Sequence, residues 1–138
     1  MFTYFLTDAP DAIGRIKSED DVLTHVEKHK SQIGGVFSRE RIDYLGQIFL
    51  GNELPSSLTG DKFTDGSAFY QLDHDLAIFI AEADQDELEN ASARWADEAW
   101  KGTDINPFDL AGFLLEISEL SRVALAKGNE IYFVSVAR

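Results

Sequence analysis

The chain contains no cysteine, which rules out disulfide staples, thiolate nucleophiles and cysteine-based zinc sites, and suits a reducing interior. Any chemistry must come from oxygen and imidazole, and there are only three histidines. Proline is scarce as well, at three residues in 138, and no repeat or low-complexity segment occurs. Long apolar runs are missing. The opening "MFTYFLTDAP" has no basic flank and is too short for a signal peptide or a membrane span, and no later run reaches that length. A soluble, cytoplasmic protein is therefore expected. The scarcest commodity is positive charge: 12 Lys and Arg face 25 Asp and Glu, for a net charge of -13.

That charge is concentrated. Residues 61–119 hold fifteen acids and three bases, whereas residues 1–60 hold nine and six, and residues 120–138 hold one and three. Such a field repels nucleic acid and anionic membranes and speeds encounter with a basic partner. Its plainer use is solubility. No basic stripe with interleaved aromatics suggests nucleic-acid binding. With 44% apolar residues in 138, the chain can bury a real core, and one domain over residues 1–138 is expected.

"FTYFL" (Phe2 to Leu6) has the aromatic and β-forming composition of a strand, ended by Asp8-Ala9-Pro10. Ser18 and Asp21 resemble a capping box opening a helix to Gln32, with Val22, Leu23, Val26 and Ile33 on one face and Gly34-Gly35 ending it. Ser38 caps a second helix, in which Ile42, Leu45, Ile48 and Phe49 recur until Gly51. Residues 52–66 have the composition of a long surface loop.

"SAFYQL" reads as a short strand. Asp73 caps a helix over "HDLAIFIAEA", although Leu76 to Ile80 alone would also suit a strand. Asp84 caps "QDELENASARWADEAW". Asn106 as N-cap, Pro107 at the first helical position and Gly128 after Lys127 bracket a helix of about twenty residues. Its buried face should hold Leu110, Leu114, Ile117, Ser121, Ala124 and Leu125, with Gly112, Glu116 and Glu119 opposite. "EIYFVSV" follows as a strand beside the first. The expected architecture is α+β: mostly helical, with N-terminal, middle and C-terminal strands forming a small sheet around the long C-terminal helix.

In outline the chain resembles the YfbM-like family of small bacterial proteins. The likeness rests on "FTYFL", "DYLGQIFLG", "FYQLDHDLAIFIAEADQDEL" and "FLLEISELSRVALAKGNEIYFVSV". It implies an α+β fold and a bacterial cytoplasmic origin, and brings no activity with it. The Trp and His that the family often carries on the helix before the loop are absent; Tyr44, Gly46 and Gln47 stand there. The resemblance therefore transfers no site residue.

Three constellations have chemical potential. Asp21, His25 and His29 lie one helical turn apart and form a candidate metal set, but Val26 stands where a zinc-protease helix needs its glutamate. Asp73, His74 and Asp75 place an imidazole between carboxylates that favour its charged form, a candidate acid or base. The competing explanation is structural: Asp73 caps the helix and Asp75 complements its dipole. Asp84, Asp86, Glu87 and Glu89 lack the glycine and spacing of a calcium loop and read as an acid-rich helix start. Nucleotide-binding glycine motifs and the serine-nucleophile elbow are absent, Ser67 sits in a turn, and no cofactor is expected.

The two tryptophans stand five residues apart. Trp95 falls on the apolar face with Leu88, Ala91, Ser92 and Ala99 and should be core. Trp100 is turned about 140° away. It either folds back near Phe108 or stands exposed beside Asp97, Glu98 and Asp104 as an anchor for a basic partner. The leading expectation is a non-enzymatic acidic module, an inhibitor or immunity-type partner of a basic protein such as a toxin nuclease. The alternative is a small-molecule or metal-dependent enzyme using His74 with Asp73 and Asp75, in a pocket bordered by the loop at 52–66. Monomer and homodimer are both open, the latter through the terminal strand and exposed aromatics.

Overall fold

The computed structural model describes residues 2–8, 33–35, 38–52, 56–59 and 69–136. The two most apolar strand segments form its centre. β1 (Phe2–Asp8) and β5 (Glu130–Val136) pair antiparallel over their whole length, from Phe2↔Val136 to Asp8↔Glu130. β4 (Phe69–Gln71) pairs with the other edge of β5. Two further strands complete an antiparallel sheet of order β2-β1-β5-β4-β3: β2 (Ile33–Gly35) beside β1, and β3 (Ser57–Thr59) beside β4.

β2 and β3 correct two expectations. Ile33 is not on a helix face; it pairs with Phe5, and Gly34 and Gly35 pair with Tyr4 and Thr3. The rest of the expected helix to Gln32 lies outside the described residues. Within the expected loop at 52–66, Ser57, Leu58 and Thr59 pair with Gln71, Tyr70 and Phe69. Glycine and serine have little β-propensity. These strands exist because long neighbours template them, which leaves no local signal.

The helices follow their caps. Ser38 accepts from the Arg41 amide and opens α1 (Arg39–Asp43), which continues through Tyr44 into α2 (Leu45–Leu50). The single helix expected here is thus two short ones. Tyr44 itself stays in the helical region, and its carbonyl accepts from Gln47 and Ile48. Asp73 accepts from the Leu76 amide and starts α3 (His74–Glu82), so Leu76 to Ile80 is helical. Asp84 and Glu87 form a reciprocal capping box at the start of α4 (Gln85–Ala99).

α5 (Pro107–Ala126) begins on the Asn106 side chain. It ends where the Asn129 and Gly128 amides donate to the Ala124 and Leu125 carbonyls. Those paired bonds are a Schellman motif, which requires the left-handed φ of 72° that Gly128 supplies.

α5 packs against α3, α4, β1 and β5. Leu110, Leu114, Ile117, Ser121 and Ala124 are buried as expected and Leu125 only partly, while Phe113, Ser118 and Leu120 join the buried face. Ser121 Oγ donates to the Ile117 carbonyl, so its buried hydroxyl is satisfied. Phe5 and Phe133 extend the same core from the sheet. Tyr132, Val134 and Phe69 are buried as well, so both faces of β5 are covered over Ile131 to Val134. A fully buried Leu or Ile contributes roughly 1.5–3 kcal/mol. The stripe Leu110, Leu114 and Ile117 therefore outweighs the roughly 1 kcal/mol that mid-helix Gly112 costs.

That cost has no packing reason within the fold, since a Cβ built on Gly112 meets nothing within 4 Å. Gly112→Ala is expected to raise stability by about 1 kcal/mol, read as a higher urea midpoint at unchanged slope. A lower midpoint would show that the space is needed by the fold.

Candidate protein-binding surface

Three segments separated in sequence meet at the C-terminal end of α4, and they decide the fate of the two tryptophans. Trp95 is fully buried, and its indole Nε1 donates to the Arg41 carbonyl at 2.8 Å. Trp100 is only 6% exposed, which corrects the reading of it as an exposed anchor. It does not fold back on Phe108, which is 84% exposed. Its ring meets Trp95 edge-on, with centroids 5.7 Å apart, and the Arg41 guanidinium lies 4.0 Å from its centroid. Arg41 Nε also donates to the Ala99 carbonyl at 3.1 Å. A cation there suits the negative end of the α4 dipole.

Glu98 is tied down in the same cluster. Tyr44 donates to it at 2.7 Å and Arg94 at 2.9 Å. Those two hydrogen bonds, Tyr44's first, hold its carboxyl below the usual range. The basic groups that meet this Trp and carboxylate pair are thus the chain's own Arg41 and Arg94. Asp97 and Asp104 remain exposed. Nothing in the local sequence marks Arg41 as the cover, because 58 residues separate it from Ala99.

The histidine constellation is also dispersed. Asp73 is occupied as the cap of α3. His74 has a half-exposed side chain whose Nδ1 lies 3.0 Å from Glu130 at the start of β5, a partner 56 residues away that sequence reasoning missed. Asp75 lines a depression of about 290 Å³ with Leu50, Asn52, Ile78 and Phe79, but His74 does not. Asp21, His25 and His29 lie outside the described residues. Among the described residues, no group of three or more acidic or imidazole side chains could hold a metal ion. No helix among them is long and apolar enough to cross a membrane.

The terminal strand is enclosed along its middle. β5 is hydrogen-bonded on both edges, by β1 and β4, and Ile131 to Val134 are buried. Over Tyr132 to Val134 it has no open edge to offer another chain.

Beside α1, the Asp43 carboxylate accepts from the Ser56 amide at 3.0 Å and lies 3.6 Å from Arg39 Nε. Arg39 in turn donates to the Ser56 hydroxyl and carbonyl and covers the Tyr70 ring at 4.2 Å, holding the start of β3 against α1. Burial pushes the Asp43 carboxyl above its ordinary range, and the Ser56 hydrogen bonds and Arg39 charge only partly offset it. A raised value means the fold binds this proton more tightly than the unfolded chain does. The stability linked to Asp43 is therefore fully present below the ordinary Asp pKa and lost as pH rises through the raised one. Asp43→Asn keeps an acceptor for Ser56 and should abolish this dependence. Relative to the parent, its urea midpoint should improve as pH rises from about 3 to about 7; a constant difference would contradict the assignment.

What remains on the surface is carboxylate and a stripe of apolar groups. All twelve Asp and Glu residues between His74 and Lys127 are exposed, against four Lys and Arg. Among the described residues only Glu98 of the twelve is ion-paired to Arg or Lys. Between α4 and α5 runs a groove of about 160 Å³ lined by Gln85, Leu88, Glu89, Ala111, Gly112 and Leu115. No family model, curated protein or solved structure matches the chain.

Proposed function

We propose that this protein is a non-enzymatic acidic binding module that engages a basic protein, as an inhibitor or immunity-type partner does. The observation that carries the reading is the set of exposed carboxylates along α3, α4 and α5, nearly all free of internal ion pairs. Paired acids would be spent on the fold, whereas free ones project a negative field that attracts and orients a basic surface. The contact is expected to run over α4 and α5, including Asp97 and Asp104, with Trp100 supporting it from beneath. Kinship with the YfbM-like family belongs to this proposal as a statement of fold and origin alone.

An enzyme built on His74 finds less support, since Asp73 is committed to a cap and His74 to Glu130. The test is retention from native lysate on the immobilised full chain at low and moderate salt. A basic protein retained at low salt and weakened as salt rises is the expected result. Retention of nothing at either salt would sink the proposal.

A further inference from the structure

The acidic surface has a topography, and it is most distinctive along α5. We propose that the groove between α4 and α5 is the docking site for a basic amphipathic helix presented by a partner protein. The proposal rests on the acidic-module reading and specifies its surface and the shape of its ligand.

The first reason is an apolar stripe left outside the core. Phe108, Leu115 and Val123 are 84%, 41% and 51% exposed, although large hydrophobic side chains on a helix usually face inward. With Gly112 and Glu119 they follow steps of three and four residues, so they lie along one side of α5 over about 22 Å. The groove, floored by Leu88, Ala111, Gly112 and Leu115, borders this stripe. Anchors recurring at helical spacing are how a groove reads a bound helix.

The second reason is Gly112. It is exposed, its φ is not left-handed, and its missing side chain leaves open space rather than room for a neighbour. The fold gains nothing from glycine here. A bare backbone at the centre of a groove does permit close approach by an external chain.

The third reason is charge. Glu89 lines the α4 side, and Asp109, Glu116 and Glu119 stand exposed along α5, with no Lys or Arg on α5 before Arg122. Apolar floor and acidic rim together complement a helix with an apolar face and basic flanks. A second copy of this chain would bring another net charge of -13 to the same place. Nucleic acid and anionic membrane are repelled on the same ground.

The test uses the full chain and a labelled helical peptide of about 18 Leu and Lys residues with one apolar face, long enough to span the stripe. Its control is a peptide of the same composition, shuffled so that no continuous apolar face forms. The amphipathic peptide should bind about tenfold more tightly than the shuffled one. Gly112→Gln, which fills the groove, and Phe108→Ser should each weaken it about tenfold at unchanged circular dichroism of the chain. Asn90→Ala, an uncharged and exposed position of α4 that does not line the groove, should change it less than about twofold. Equal binding of both peptides, insensitive to the groove variants, would overturn the docking site and leave the acidic-module reading standing. Failure of both peptides to bind at low salt would count against both. Light scattering that shows a dimer dissolved by Gly112→Gln would assign the groove to a second copy and defeat the proposal.

Discussion

Trp95→Ala is expected to cost about 3–5 kcal/mol of folding stability, a large share of the 5–15 kcal/mol that separates typical folded and unfolded domains. Trp95 is completely buried where α4, α5 and α1 converge. Its indole stacks on Phe113 at 5.9 Å and meets Trp100 edge-on at 5.7 Å. Truncation removes the largest fully buried side chain and leaves a cavity that three separate elements would have to close. The hydrogen bond to the Arg41 carbonyl is the smaller term, worth about 1 kcal/mol while both partners remain. Trp95→Phe separates the two effects by keeping an aromatic ring and deleting the donor, and it should cost about half as much as the alanine variant. Urea denaturation followed by far-ultraviolet circular dichroism gives both numbers. A loss under about 1 kcal/mol for Trp95→Ala would mean the site can collapse at little cost, contrary to the packing described.

Phe113→Ala should be nearly as damaging, about 3–5 kcal/mol, for a different reason. Phe113 joins layers: its ring meets Phe5 of β1 edge-on at 5.2 Å and stacks on Trp95 of α4. It touches both sheet and helices from the middle of α5. Aromatic pairs of this geometry add about 0.5–1.5 kcal/mol each beyond area burial. Phe113→Leu retains most of the volume and loses the ring geometry, so its cost should fall near 1–2 kcal/mol, about the worth of the two pairs. Because Trp95 and Phe113 share a contact, the double alanine variant should lose less than the sum of the singles. Strict additivity would show that the two rings are energetically independent despite their stacking.

The legible parts of this fold are those with local causes. Asn106, Pro107 and Gly128 mark α5 because a cap is completed within a few residues of itself. Asp84 and Glu87 do the same for α4. Trp95 was recognisable as core because five positions on its helix face are apolar or small. β1 and β5 carry enough aromatic and β-branched residues to read as strands unaided. By contrast, Ile33–Gly35 and Ser57–Thr59 have compositions that point to turns and loops, and only their pairing with β1 and β4 makes them strands.

The candidate site was less legible, because a surface is made by what does or does not land on it. The spacing of Trp100 from Trp95 correctly turned it off the apolar stripe of α4, and Arg41 then covered it from another segment. Glu98 looked free until Tyr44 and Arg94 reached it. His74 found Glu130 rather than its sequence neighbours. Phe108, unremarkable in sequence beside Pro107, is the most exposed large apolar group among the described residues.

By itself, the sequence determined the boundaries of α4 and α5, most of the inward face of α5, the core position of Trp95 and the negative charge of the central segment, because caps, periodicity and charge are properties of neighbours along the chain. Only the tertiary structure decided the five-strand order, the burial of Trp100 beneath Arg41, the dispersal of the histidine constellation and the groove at Gly112. Each of those depends on which distant segment arrives, and that is settled by packing across tens of residues rather than by any local preference.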